Sequence, residues 1–216
     1  MRRMNARCGR STRQTNSDLA HRLFQSVAVA SRPLRAEGLA EFLASDFSAR
    51  PIPRVREDWR PEAPVPAVLS TCSTLLSLVT IDGSPVIQSS HFSVKEYLKS
   101  FRFAEKRDTI SLRYHVSMTS AHTIVAQACL GIQLHLGENE IATKNSLAKF
   151  TLPEYAANHW SKHDRLEGVS RNAEEGMKQL FDPRKPHLVM PLVCSREGWV
   201  GGQVTSQANR IVFLGK

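Results

Sequence analysis

A histidine and a serine two positions apart are the first residues whose types could perform chemistry. They lie in the stretch SSHFSVKEYLKS at residues 89–100. His91 and Ser93 have the types of a base and a nucleophile, but such a base needs a third group to orient it. His91 has no carboxylate at an obvious spacing for that role. Ser93 and Glu96 instead have the S-x-x-E spacing of a capping box. The stretch therefore predicts a helix that starts at Ser93, with no catalytic pair.

Two aromatic residues support this helix start. Phe92 precedes the predicted N-cap and Tyr97 lies at the fourth helical position, the two places that a hydrophobic staple occupies. Tyr97, Leu98 and Phe101 would then share one apolar face. We expect loss of the Ser93 cap to cost about 1 kcal/mol and truncation of a buried Phe92 about 3 kcal/mol.

A second candidate is a pair of histidines four residues apart, His159 and His163. This spacing on a helix can seat a metal ion, but the residues between them lack the glutamate of H-E-x-x-H. The pair shares a face with Tyr155 and Trp160, and no third ligand is apparent. We predict no metal site, and we expect neutral His159 and Trp160 to be buried against a helix over residues 117–136.

Common catalytic and nucleotide-binding motifs are missing from the sequence. It holds no G-x-S-x-G nucleophile elbow. The phosphate-binding G-x-x-x-x-G-K-[ST] loop is also missing, and GWVGGQV at residues 198–204 is not one. We predict that the chain is not an enzyme and has no catalytic, cofactor-binding or metal-binding residues.

The composition is that of a globular protein, since 41% of the 216 residues are hydrophobic. The four cysteines lie more than 50 residues apart, which argues against a zinc ribbon and for reduced thiols in the cytoplasm. No apolar run approaches the roughly 20 residues that span a membrane, and the N-terminus lacks the apolar region of a secretory signal.

The net charge of +9 is concentrated at the N-terminus. Residues 1–17 hold five arginines and no acid, so the other 199 residues carry only +4, which is nine minus five. This segment reads as a basic, disordered tail. A solvated tail without a partner, an RNA-attracting arm and a poor mitochondrial presequence all remain open for it.

The elements that follow predict a winged helix-turn-helix over residues 18–104. Helices are predicted from Asp18 to residue 30, from near Pro33, and over residues 67–79, with a loop at 48–66. Asp82-Gly83 lies between two β-rich runs and predicts a hairpin, which would be the wing. The helix that opens near Ser93 follows the hairpin directly.

The remaining segments are predicted to be helical, so the fold class is mainly α. After a helix at 117–136, Thr151 and Glu154 form a second capping box with Pro153 in the first turn. A last helix is predicted over 170–181. We assign residues 105–190 to a solenoid-like helical segment and 191–216 to an irregular C-terminal tail.

A winged helix raises the alternative of nucleic-acid binding. In such folds the helix before the wing reads base edges, usually through Arg, Lys, Asn or Gln. Residues 61–94 contain no lysine or arginine, and Gln88 is their one amide side chain. Phosphate contacts dominate affinity for DNA, so we expect no specific DNA binding.

Several stretches carry a resemblance to a known family. AHRLFQSVAVASRPLRAEGLAEFLASDF, DWRPE, AVLSTCSTLLSLV and SHFSVKEYL resemble the winged-helix segment that follows the NACHT NTPase in fungal NOD-like (STAND) proteins. That segment is also named for its similarity to one in GPI inositol-deacylase-type proteins. AHTIVAQACLGIQL, LPEYAANHWSKH and LFDPRKPH resemble the helical segment that comes next, before ankyrin repeats.

The resemblance, over about residues 20–188, implies a non-enzymatic regulatory or interaction module. In the family, an NTPase binds ATP or GTP, and this module couples it to sensor repeats. The chain departs from the pattern because neither the phosphate loop nor ankyrin repeats are recognisable, so we expect a fragment, a truncated paralogue or an incomplete gene model. The implied partners are a protein, or the NTPase and repeat domains of the same architecture. We expect the chain not to bind a membrane, and we identify no small-molecule substrate for it.

Overall fold

The computed structural model describes residues 16–48, 52–71, 75–106, 108–138, 150–182 and 184. Within these residues helices dominate and the strands are short, which confirms the predicted mainly α class. None of the described helices is both long enough and apolar enough to cross a membrane.

The first half has the helix and strand order of a winged helix: helix, strand, two helices and a hairpin. Its elements are α1 (Asn16–Val29), β1 (Leu34–Arg35), α2 (Ala36–Leu43), α3 (Pro64–Thr71), β4 (Leu76–Ile81) and β5 (Ser84–Ser89). The strands form an antiparallel sheet in the order β1-β5-β4. Between α2 and α3 lie a two-stranded ribbon, β2 (Ser45–Asp46) with β3 (Arg54–Val55), and a 3-10 helix (Glu57–Trp59).

The wing hairpin forms where the sequence predicts it. Asp82 and Gly83 both have positive φ, 50° and 73°, the backbone that a two-residue type I′ turn requires. Ile81 pairs with Ser84 across this turn. The Asp-Gly pair therefore fixes the register of β4 and β5.

Several predicted boundaries in this half are wrong. α1 begins at Asn16, inside the predicted tail, and the predicted loop at 48–66 contains β3, the 3-10 helix and the start of α3. Pro33 lies before the second helix instead of in its first turn, because Leu34 and Arg35 pair with β5. The third helix ends at Thr71, because the chain from Leu76 onward is used as a strand.

Three short helices follow the wing. They are α4 (Phe92–Lys99), α5 (Phe101–Glu105) and α6 (Thr109–Tyr114). α4 ends because Ser100 is extended, and the Ser100 side chain then caps α5 by accepting a hydrogen bond from Phe103 N. Phe101 therefore does not share a helix with Leu98, contrary to the prediction.

The second half contains three longer helices, as predicted. They are α7 (Met118–Glu138), α8 (Leu152–Asp164) and α9 (Ser170–Leu180). Val125, Cys129, Ile132 and Leu136 are almost fully buried, and so are Ala128 and Leu130 on other faces of α7. α7 packs against α1, α8 and α9, and among its described residues only the first three, Met118 to Ser120, are exposed.

One hydrophobic core runs through both halves of the chain. Leu23 of α1 and Leu39 of α2 belong to the same cluster as Ile132 of α7 and Tyr155 of α8. The domain boundary predicted at residue 104 stays a prediction. The predicted irregular tail at 191–216 lies outside the described residues, and so do residues 1–15 of the basic tail.

Two helical glycines mark close approaches beside this core. A Cβ on Gly131 of α7 would lie 2.5 Å from the carbonyl oxygen of Pro53. A Cβ on Gly176 of α9 would lie 2.6 Å from the Ile52 Cδ1 atom. The connection before β3 therefore rests against α7 and α9 at positions where side chains would collide.

Candidate interaction surface

The helix that opens after the wing is capped by a different residue from the one predicted. His91 is the N-cap of α4, and its Nδ1 atom accepts a hydrogen bond from Ser93 N at 3.2 Å. Its backbone is extended (φ −145°, ψ 143°), as an N-cap requires. Glu96 pairs with Lys99 at 3.0 Å instead of reaching back to Ser93. The predicted capping box is therefore wrong.

The same geometry gives the His91–Ser93 pair a structural role. Nδ1 of His91 lies 2.7 Å from Ser93 Oγ, and both residues are exposed. The imidazole nitrogen that faces the serine is the one that caps the helix, so the contact belongs to the helix start. The predicted staple is also wrong, because Phe92 is 75% exposed and Tyr97 is 44% exposed.

The second predicted capping box, at Thr151, is replaced by a contact from α2. Thr151 has helical backbone angles, and its side chain makes no capping hydrogen bond. The Glu41 carboxylate accepts hydrogen bonds from Thr151 N at 2.9 Å and Leu152 N at 3.1 Å. Arg60 lies 3.6 Å from the same carboxylate, whose side chain is 1% exposed. Burial raises the pKa of Glu41 to about 7.

The buried histidine of α8 is His163, and the prediction that His159 is buried is wrong, although partial burial lowers the pKa of His159. His163 is 1% exposed, whereas His159 is only partly buried and contacts the Tyr155 ring. Trp160 is also only partly buried, and its ring packs 5.9 Å from the Phe181 ring beyond α9. The buried face of α8 therefore includes His163, whereas His159 is only partly covered.

Both ring nitrogens of His163 are engaged. Nε2 lies 2.8 Å from Tyr155 Oη, and Nδ1 lies 3.0 Å from Nδ1 of His122 on α7. Burial lowers the pKa of His163 to about 4, and the neighbouring imidazoles of His122 and His159 add to this effect. Across the described part of the chain, no group of three or more His, Cys, Asp or Glu side chains is placed to hold a metal ion.

A small cleft lies beside α3. Its volume is about 170 Å³, and its walls are Leu19, Leu43, Trp59, Pro61, Ala67, Ser70 and Thr71. Small-molecule sites usually have volumes of about 300–1,000 Å³. The cleft is therefore too small to suggest a substrate site.

The most exposed apolar side chains lie on α4, α5 and α6. Phe92, Phe101, Ile110 and Leu112 are between 65% and 75% exposed. Isolated exposed apolar residues are ordinary, but several large ones on one short segment mark interaction sites. We call the solvent-accessible side chains of the described residues between 92 and 114, which include α4, α5 and α6, the α4–α6 surface. Sequence patterns missed it, because Phe92 and Phe101 were assigned to a buried staple and face.

The α4–α6 surface also carries a surplus of positive charge. Its described lysines and arginines are Lys95, Lys99, Arg102, Lys106 and Arg113. Its described acids are Glu96, Glu105 and Asp108. Asp108 caps α6 by accepting a hydrogen bond from Ser111 N at 2.7 Å. The surface thus combines exposed aromatic and aliphatic side chains with a surplus of basic ones.

Comparisons with known proteins agree with this architecture. A protein of Monascus ruber named "Azaphilone pigments biosynthesis cluster protein L" is 25% identical over 168 residues, which cover 74% of this chain and 34% of that protein. The chain therefore spans about a third of the length of this curated relative. No solved structure matches the chain. Residues 9–106 match the family described as the winged helix domain of GPI inositol-deacylase.

Proposed function

We propose that the chain is a non-enzymatic regulatory and interaction module of the cytoplasm, and that the α4–α6 surface is where it contacts a protein partner. The observation that carries the proposal is the exposure of four large apolar side chains on this segment. Aromatic side chains bury about 150–250 Å² each when covered. These four side chains, together with the half-exposed ring of Tyr97, therefore supply part of the roughly 800 Å² that one side of a standard interface contributes.

The charge of the α4–α6 surface indicates which kind of partner it would bind. Five basic against three acidic described residues favour an acidic counterpart, because like charges across an interface oppose association. A second copy of the chain would bring the same basic surplus. We therefore propose a partner with an apolar centre and an acidic rim. The NTPase domain that precedes this module in NOD-like (STAND) architectures is the candidate that the sequence resemblance suggests.

Two observations support a protein-binding role over the nucleic-acid alternative. The helix before the wing, α3, and the wing itself lie within residues 61–94, which contain no lysine or arginine. The basic residues of this half that follow the wing instead lie in the same segment as the exposed phenylalanines. The buried free thiol of Cys129 supports a reducing compartment.

The experiment begins with the transcript. Sequencing it across both ends tests whether an NTPase coding region is joined upstream, and calorimetry then measures the association of the separately purified NTPase domain with this chain. We expect micromolar association that Phe101→Ser and Leu112→Ser weaken at least tenfold. Ile81→Ser is the matched control, because Ile81 is an exposed apolar residue of the wing. Association that both α4–α6 variants leave unchanged would contradict the proposal.

A titration with duplex DNA tests the alternative function. Real phosphate contacts make the association constant fall steeply with salt. We expect any such binding to disappear when the five arginines of residues 1–17 are replaced by glutamine. Salt-dependent binding that persists in this variant would favour a nucleic-acid-binding winged helix.

A further inference from the structure

Three histidines meet where α7 and α8 pack together, and their hydrogen bonds reach the winged helix. His163 joins His122 of α7 to Tyr155. Tyr155 Oη also accepts a hydrogen bond from Ser31 N, in the connection between α1 and β1, at 3.0 Å. His159 lies against the same tyrosine ring. We call His122, His159 and His163 the histidine cluster.

The proton count of this cluster limits the charge that it can hold. The hydrogen bond between the Nδ1 atoms of His122 and His163 needs one proton and one free lone pair. If both rings are imidazolium ions, two N–H groups face each other across 3.0 Å and the hydrogen bond is lost. The hydrogen bond between His122 and His163 therefore requires at least one neutral ring.

The groups that act on the histidine cluster and on Tyr155 do not favour an added positive charge. His163 is affected by His122, His159 and Lys162. His159 is affected by Lys162, Arg32 and Glu154, and Tyr155 by Cys129 and Arg32. Glu154 is a carboxylate of this set, and it pairs with Arg32 at 3.8 Å. Arg32 and Lys162 remain as positive neighbours that oppose the protonation of the histidines.

The two ends of α8 are held differently. The first residues are fixed by the Glu41 carboxylate, which accepts hydrogen bonds from Thr151 N and Leu152 N. The last turns, from His159 to Asp164, lead into a turn whose residues are mostly exposed. His163 lies in these last turns. The His163 side chain can reach water if these last turns separate from α7 while the first turn, held by Glu41, stays in place.

We propose that the histidine cluster is an acid-operated release, which frees the last turns of α8 from α7 when the cluster gains protons. Burial lowers the pKa of all three histidines, so the released form takes up protons that the packed form resists. The packed form is favoured above the ordinary histidine pKa and loses that advantage as the pH falls. The release would change the position of the last turns of α8 relative to α7. It is a separate proposal from the protein contact described above.

Amide hydrogen exchange of the full chain between pH 7.5 and pH 5 tests this inference, with rates corrected for intrinsic exchange. We expect the protection of amides 160–164 to fall below pH 6.5, by up to about tenfold per pH unit for each proton that the released form gains. Amides 156–158, nearer the Glu41 end, should keep their protection, because the raised pKa of Glu41 means that its protonation over this pH range favours the packed form. Equal loss at both ends, or no loss at either, would overturn the proposal.

Two further measurements do not depend on a single variant. The ¹⁵N shifts of the His163 ring report its charge directly, and we expect it to stay neutral wherever amides 160–164 are protected. A charged His163 in a fully protected helix would also overturn the proposal. His122→Gln removes one titrating neighbour and should move the release to lower pH. The control His135→Gln, on the same helix and away from the cluster, should leave the pH of the release unchanged.

Discussion

At the scale of single residues, the start of α4 depends on an imidazole. His91 Nδ1 accepts the hydrogen bond from Ser93 N, so His91→Ala should destabilise the protein by about 1 kcal/mol, as for loss of other N-caps. Ser93→Ala removes only a hydroxyl that contacts His91, and Phe92→Ala removes a ring that is already exposed. Both should cost less than about 0.5 kcal/mol, as ordinary surface changes do.

Urea unfolding of the three variants checks this order. The order predicted from the sequence was the opposite, with Phe92 as the most costly position and Ser93 next. A loss near 3 kcal/mol for Phe92→Ala would mean that the aromatic ring is buried, and the α4–α6 surface would then lose one of its members.

The same residues show how far capping can be predicted from sequence. The helix start was predicted to within two positions, because the hairpin and the polar run after it restrict where a helix can begin. The capping residue was not predicted, since serine is the commoner N-cap and the S-x-x-E spacing supports it. At α8 the group that binds the first N–H groups is Glu41, 110 residues from Thr151. No local pattern contains that information.

At the scale of elements, the packing of α7 and α9 against the chain before β3 gives a matched pair of tests. Gly131→Ala places a methyl group against the backbone carbonyl of Pro53, which cannot move without shifting the main chain. Gly176→Ala meets mainly the end of the flexible Ile52 side chain, which can change rotamer. Gly131→Ala should therefore destabilise by about 1–3 kcal/mol, as overpacking does.

Gly176→Ala should be within about 1 kcal/mol of the wild type, because alanine favours a helix over glycine by about that much. Thermal or urea unfolding of both variants measures the difference. Equal losses would mean that the two contacts are equally stiff, and a stable Gly131→Ala variant would contradict the close approach at Pro53.

Long periodic elements were predicted better than their connections. The apolar positions of α1, α7 and α9 recur every three or four residues over several turns, and the structure buries most of them. Pro33 and the chain around Leu76 were placed in helices, but both are next to strand pairings in one sheet. Whether a short apolar segment becomes a helix or a strand there depends on a partner strand from a distant part of the chain.

At the scale of the whole molecule, two buried groups give stability opposite dependences on pH. The raised pKa of Glu41, about 7, means that the folded state binds a proton that the unfolded state releases above its ordinary value of 4.5. Its contribution to stability is therefore lost as the pH rises through 7. The lowered pKa of His163, about 4, has the reverse sign, so stability is lost as the pH falls from 6.5 toward 4.

Removing one of these groups should expose the effect of the other. Glu41→Gln deletes the stabilisation that accompanies acidification, so the unfolding free energy should fall more steeply with decreasing pH than in the wild type. The added slope should approach roughly 1.4 kcal/mol per pH unit between pH 5 and pH 7. Urea unfolding at pH 5, 6 and 7 measures it, with Glu62→Gln as a control that removes an exposed carboxylate. A variant and wild type with parallel pH profiles would show that Glu41 is ionised normally in the folded state.

The shared core also determines when the protein can fold during synthesis. Gln25 donates a hydrogen bond to Ser120 Oγ, and the Tyr155 hydroxyl accepts one from Ser31 N, across 95 and 124 residues of chain. The face of α1 that packs against α7 stays uncovered on the ribosome until α7 has emerged. At about 5–20 residues per second, the chain between α1 and α7 takes on the order of ten seconds to synthesise. During that interval the winged helix exposes apolar surface, which makes it a natural client for chaperones.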